Sequence, residues 1–145
     1  MSKVERKYVL LKNDSVTLDD GRTLFRIQAV RNVFNEKGKL IVEKGDLGGF
    51  VERDDHTRRN LSHAGGCWIA EDAMAYGASL IMDDAILCDQ ARIHGHAMLF
   101  DDAIAQDECE IGGHARVYDG SRICADAHVS GYARVRKSRI DYDLG

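Results

Sequence analysis

The sequence predicts an all-β protein: about four coils of a parallel β-helix behind a small β-rich N-terminal cap. Three observations carry that reading. Small residues recur every six positions, twelve in twelve: Cys67, Ala73, Ser79, Ala85, Ala91, Ala97, Ala103, Cys109, Ala115, Ser121, Ala127 and Ala133. Two positions after each, ten of twelve residues are Ile, Leu or Val, and two further on ten of twelve are Gly, Asp or Glu. A period of six suits strand alternation and drifts off any helical face. A second period of 18 lies on top: Gly77, Gly95, Gly113 and Gly131 form one column, Asp83, Asp101 and Asp119 another, and Glu71, Asp89 and Asp107 a third. Three hexads therefore make one triangular coil. At a strand spacing of about 4.8 Å, four coils stand roughly 19 Å tall. Finally, the 145 residues contain no Pro, as suits a chain whose backbone donors serve the strands above and below.

The elements follow in order. Residues 1–59 form the cap, with strand-like runs at 8–11, 16–18, 23–30 and 40–42 and turn signals at Asp20-Gly21 and Lys37-Gly38. It covers an edge that the first coil would otherwise leave unpaired. A charged loop spans 54–60. The β-helix takes 60–138 and should stop near 135–138, because Arg139 replaces the small residue and Asp141 the aliphatic one. Residues 139–145 form a tail. Arg134, Arg136, Lys137 and Arg139 put charge on the last edge, which discourages end-to-end stacking.

Charge narrows the function classes. Residues 1–66 hold 13 Lys/Arg and 10 Asp/Glu, whereas 67–145 hold 7 and 14. A basic cap of net +3 thus precedes an acidic prism of net −7, and direct nucleic-acid binding by the prism is disfavoured. No apolar run approaches the ~20 residues of a membrane helix, and the start lacks the apolar segment of a signal peptide. Four Cys without C-x-x-C spacing fit a reduced, cytoplasmic protein.

At these repeats the chain resembles the hexapeptide-repeat, left-handed parallel β-helix (LpxA-like) superfamily. Two further stretches, Gly45-Asp46-Leu47-Gly48-Gly49-Phe50-Val51-Glu52 and Asn60-Leu61-Ser62-His63 running into Gly66-Cys67-Trp68-Ile69, resemble bacterial and prophage-borne hexapeptide proteins of the YdcK type. The resemblance implies the left hand of the coil, which the usual right-handed crossover rule would not. It also implies a homotrimer and a phage or prophage association. Members of the narrower group are mostly described as transferases or carry no assigned function, so it implies fold more than activity.

Folding the repeat gives three outward faces. One carries Trp68, Ile86 and Ile104, with Cys88 and Cys124 beside them. Another carries Arg92, His94, Glu110 and His128, and a third Leu80, Met82, Met98, Phe100 and Tyr118. Outward apolar side chains mark an interface. Either copies of the chain cover these faces, with a trimer favoured, or residues 1–59 fold back over one.

Candidate chemistry gathers at the corners. His96 and His114 are 18 apart and should stack on adjacent coils, with Tyr132 continuing the column. They are exposed corner residues, or they share a divalent metal or act as general base at a subunit cleft. In hexapeptide acyltransferases the resemblance puts a His base in such a cleft, with acetyl-CoA as donor, but the long loop many of them extend over the donor is missing. The columns Asp83/Asp101/Asp119 and Glu71/Asp89/Asp107 place like charges at sheet spacing. Hydrogen bonds to corner amides would resolve the repulsion; so would a hard cation. A third reading is a phosphate-like array for a partner that binds nucleic acid. No P-loop, dinucleotide fingerprint or Ser-His-Asp elbow is present. The leading expectation is a binding protein without cofactor or resident metal. The alternative is an acyltransferase using His96 or His114.

Overall fold

The computed structural model describes residues 5–55 and 57–144; residues 1–4 of the expected cap, His56 of its charged loop and Gly145 of the tail lie outside it. The described residues form strands and turns without a helix, stacked as a parallel β-solenoid of about four turns.

Each hexad becomes a strand of two or three residues and a corner. In Ile86–Leu87, for example, the first side chain points outward and the second inward, and parallel partners lie on the coils to either side: Trp68 and Ile104 beside Ile86, Ile69 and Ala105 beside Leu87. The three columns make the three faces. One face stacks Trp68–Ile69, Ile86–Leu87, Ile104–Ala105, Arg122–Ile123 and Arg139–Ile140; a second Leu80–Ile81, Met98–Leu99, Arg116–Tyr118 and Arg134–Arg136; a third Met74–Ala75, Arg92–Ile93, Glu110–Ile111 and His128–Val129. All inward aliphatics from Ile69 to Val129 have lost their accessible surface. Burying each such side chain stabilises by about 1.5–3 kcal/mol.

The corners explain the Gly, Asp and Glu columns. All twelve residues at the fifth position of the hexads, from Glu71 to Lys137, have φ between 51° and 67°. This left-handed region costs a residue with Cβ roughly 1–2 kcal/mol, and Gly, Asn and Asp bear it most easily. The aspartates add a bond. Asp83, Asp89 and Asp101 each accept the amide of the residue one coil on, at 3.0–3.1 Å, and Asp107 accepts that of Ala125 at 2.7 Å. The two exceptions to the pattern, Ala125 and Lys137, sit last in their columns, where no corner amide follows to be accepted. Ala125→Gly, which relieves the strain without removing a contact, should therefore raise stability by about 1 kcal/mol in urea unfolding.

The cap completes a partial coil in front of the first. Strands β1 (Tyr8–Thr17), β2 (Thr23–Ala29), β3 (Val33–Phe34), β4 (Leu40–Val42) and β5 (Leu47–Val51) build it. The strand β5 pairs parallel with Met74–Ala75, β2 antiparallel with β5, and β1 antiparallel with β2, so cap and prism share one seven-stranded sheet. The runs at 8–11 and 16–18 are one strand, interrupted by a register shift between Leu11 and Ser15. β5, absent from the expected strands, carries Gly48 and Gly49 at the entrance to the solenoid. Leu61 bridges Ile81, which takes the partial coil onto a second face. The hydrophobic core runs unbroken from Tyr8 through Val51 to Ile140.

One expectation is corrected. Pairing continues past residue 138: Arg139 and Ile140 pair with Arg122 and Ile123, 17 residues earlier rather than 18. One corner residue is missing, so Ser138 stands where Gly120 and Ser121 stand one coil before, and the hexad frame slips by one. Leu144 then bridges Val129. At the first coil the face of Trp68 is covered by residues 1–59 folding back, one of the two covers the sequence left open: Trp68 is 3% exposed, with Ile41, Val42 and Leu47 of the cap beside it. Cys124 is buried too, beside the Ile140 carbonyl.

Candidate functional site

The cap therefore covers the first coil of one apolar face, and its residues Thr57, Arg58 and Arg59 border Leu80 and Met82 at the start of the other. Ile86 and Ile104 line a groove beneath the β3–β4 hairpin. Leu80, Met82, Met98, Phe100 and Tyr118 remain half-buried with no cap strand over them, Phe100 stacked on Tyr118 at 4.9 Å.

His96 and His114 stack at 4.9 Å with their planes 3° apart, and Tyr132 stacks on His114 at 4.9 Å. Both imidazoles are exposed, and neither makes a side-chain hydrogen bond or ion pair among the described residues. A general base needs an orienting acceptor, and this column supplies none.

A different histidine has one. His94 Nε2 donates to Glu110 Oε1 at 2.9 Å, and Glu110 Oε2 lies 3.4 Å from His128 Nδ1 on the next coil. Tyr76 stacks on His94 at 5.2 Å. Below the ring lies Gly112, where a Cβ would come within 2.6 Å of His94 Cε1. Gly112 has no left-handed φ to explain it; space for the imidazole does. The arrangement fixes one tautomer, with Nε2 protonated toward the carboxylate and Nδ1 left as the base. Arg92, on the coil of His94, is exposed and has no ion pair among the described residues. The spacing of the repeat put His94 and His128 on this face but did not single them out. The available signal was Gly112, a glycine at the outward position just after the strand Glu110–Ile111 rather than at a left-handed corner.

The acidic columns Glu71/Asp89/Asp107 and Asp83/Asp101/Asp119 lie along two corners, with Asp84, Asp102, Asp72 and Glu108 beside them. Their repulsion is offset by the amide ladder described above. Among the described residues no three His, Cys, Asp or Glu side chains converge as a metal site requires.

A second polar cluster joins the cap to the prism. The buried His63 accepts the Lys7 N–H at Nδ1 (3.0 Å) and donates from Nε2 to Asp54 Oδ1 (2.9 Å), while Arg6 pairs with the other Asp54 oxygen. Tyr8 stacks on His63 at 4.2 Å and donates its hydroxyl to the Leu61 carbonyl. The wholly buried Lys7 donates from Nζ to the Cys67 carbonyl (2.7 Å) and lies 3.1 Å from Cys67 Sγ. Burial lowers the Lys7 pKa and raises that of the Cys67 thiol. Burial likewise pushes the Cys88 and Cys109 thiols up, to about 11 and about 12, so none of the three is an activated nucleophile. Asn60, also buried, accepts the amides of Glu52 and Arg53 and donates to the carbonyls of Gly77 and Ser79. These residues hold the cap and do not open onto a cavity.

Compared with known proteins, the chain matches no protein-family model and no curated protein; what is established is the fold, a parallel β-solenoid of about four turns with a β cap.

Proposed function

We propose that the chain is a non-enzymatic binding protein of the hexapeptide-repeat, left-handed β-helix kind, associated with phage or prophage. Its rigid acidic prism engages a macromolecular partner, or a ligand at clefts between its own copies. The observation that supports this most is the corner ladder. One carboxylate oxygen of Asp83, Asp89, Asp101 and Asp107 is held by the next coil's amide, so the charges stand in rigid rows about 4.8 Å apart along the axis. Preorganised rows of negative charge suit a partner that otherwise binds phosphates, and such a protein would antagonise that partner's host system. The half-buried outward side chains of Met98, Phe100 and Tyr118 suit self-association, with a trimer as its expected form. The test uses a deca-arginine peptide in fluorescence anisotropy across a salt series. Binding should weaken steeply with salt, and Asp102→Asn with Glu108→Gln should weaken it about tenfold further. Binding insensitive to both would overturn the reading.

A second reading, a CoA-dependent acyltransferase of the hexapeptide class, is favoured by one observation. The carboxylate-held imidazole of His94, not His96 or His114, has the geometry of a general base. Acetyl-CoA turnover that disappears in His94→Ala and survives in His96→Ala would establish it in place of the first.

A further inference from the structure

The hairpin of β3 and β4 overhangs the prism and leaves a groove of about 750 Å³, within the size range of ligand sites. Its floor is Ile41, Ile86 and Ile104, one rim is Lys37 and Lys39 with Glu36 beside them, and the other is Asp101 and Asp102 with Asp83 and Asp84 on the coil before. The two rims do not reach each other. Neither lysine makes an ion pair among the described residues, and neither Asp101 nor Asp102 pairs with a cation there. The overhang is fixed rather than loose. Asp84 accepts the Glu36 amide at 2.9 Å and the Gly66 amide at 3.0 Å, and a Cβ on Gly66 would stand 2.6 Å from Asn35 Cα. The groove is thus preformed, with an apolar floor between unneutralised rims of opposite sign.

The chain carries a matching surface at its other end. Beyond the last full coil, Arg139 and Asp141 are exposed on either side of the buried Ile140, and Tyr142 follows with 58% of its surface exposed. In chain order, basic Arg139, acidic Asp141 and aromatic Tyr142 supply one group for the acidic rim, one for the lysine rim and one for the isoleucine floor.

We propose that the groove beneath the cap hairpin docks the C-terminal edge of a second copy of this chain. Tyr142 lies on Ile86 and Ile104, Asp141 faces Lys37 and Lys39, and Arg139 faces Asp101 and Asp102. Each copy presents both halves, so the contact is heterologous and propagates into rings or filaments. It is independent of the partner proposal above and of a trimer formed through Met98, Phe100 and Tyr118.

Light scattering over a concentration series tests this. The mean mass should rise beyond that of a dimer, and less so at high salt. Lys37→Glu with Lys39→Glu should weaken association at least tenfold, as should Asp141→Lys and Tyr142→Ser. All four side chains are exposed or at the groove rim, and circular dichroism should show each variant folded. The decisive variant joins Lys37→Glu, Lys39→Glu and Asp141→Lys, which restores opposite charge and should recover association. A monomer at every concentration overturns the proposal. So does association unaffected by the single variants, or a fixed trimer lost only in Met98→Lys, which would leave the interface through Met98 standing alone.

Discussion

Gly49→Ala should destabilise the protein by about 3 kcal/mol and lower its melting temperature by roughly 10 °C. The added methyl would lie within 2.5 Å of Ile69 Cγ2 and closer still to the Ala73 carbonyl oxygen. That oxygen accepts the Phe50 amide at 2.9 Å, the first bond of the parallel ladder between β5 and Met74–Ala75. Backbone and a core side chain meet the methyl, so no flexible group can move aside cheaply. The cap must lift off the first coil, and with it goes the cover over Trp68. Gly48 stands in the same case, since its Cβ would meet Ile27 and the Ile69 carbonyl at 2.6 Å. A control separates packing from backbone strain: Gly38 has φ 83° with open space around it, so Gly38→Asn should cost well under 1 kcal/mol. Thermal melts of the two variants by circular dichroism decide. Equal and small losses would mean that the cap does not depend on the close approach.

The same pair of glycines shows where a sequence is legible and where it is not. The prism could be read because its rule is local and repeated: one inward aliphatic, one small inward residue and one left-handed corner every six residues. A single slip, the missing residue before Arg139, was enough to hide the last strand, since periodicity counts positions and not contacts. The cap obeys no period. Its strand β5 contains Gly-Gly, which local propensity treats as a turn, and only its seat against Ile69 and Ala73 explains why no side chain is allowed. For the same reason the repeat alone leaves two covers open for Trp68, copies of the chain or the cap. The repeat puts it outward, and only the cap's path over the first coil makes outward mean buried.

The candidate site divides in the same way. Positions 18 apart stack, so the His96, His114 and Tyr132 column and the aspartate rows were open to arithmetic. What the carboxylates do with the next coil's amides was one of several readings, and the φ values and Oδ2 distances give each row its hydrogen bonds. Glu110 lies 16 residues after His94 and 18 before His128, and joins them only because the His94 ring folds down over Gly112. That choice of rotamer is not written in spacing. Lys7 comes from the start of the cap, and Asp54 and His63 lie about fifty residues later, nine apart, in the least periodic part of the chain; only the tertiary fold brings them together.

The His63 cluster should make stability depend on pH in a defined direction. His63 is buried against Tyr8, and burial holds its pKa below the usual 6.5 despite Asp54; Arg6 and Arg59 lower it further. The neutral ring is also the one the hydrogen bonds demand, since Nδ1 accepts from the Lys7 amide and Nε2–H donates to Asp54. A proton added to Nδ1 removes an acceptor from a buried N–H and puts positive charge near Arg6 and Arg59. In the unfolded chain the imidazole titrates near 6.5, so between that value and the lower folded value the unfolded state binds more protons. Stability must then rise with pH through this window and level off above it. The contribution is present above about pH 7 and is lost as pH falls toward the folded pKa. His63→Phe keeps a ring on Tyr8 but deletes both bonds, leaving the Lys7 amide and Asp54 without their partner. It should cost about 3 kcal/mol at pH 8 and flatten the pH dependence below 7. Urea unfolding of both proteins from pH 5 to 8 gives the answer. A wild-type slope that survives unchanged in His63→Phe would assign it to other groups and leave the cluster a purely structural clamp.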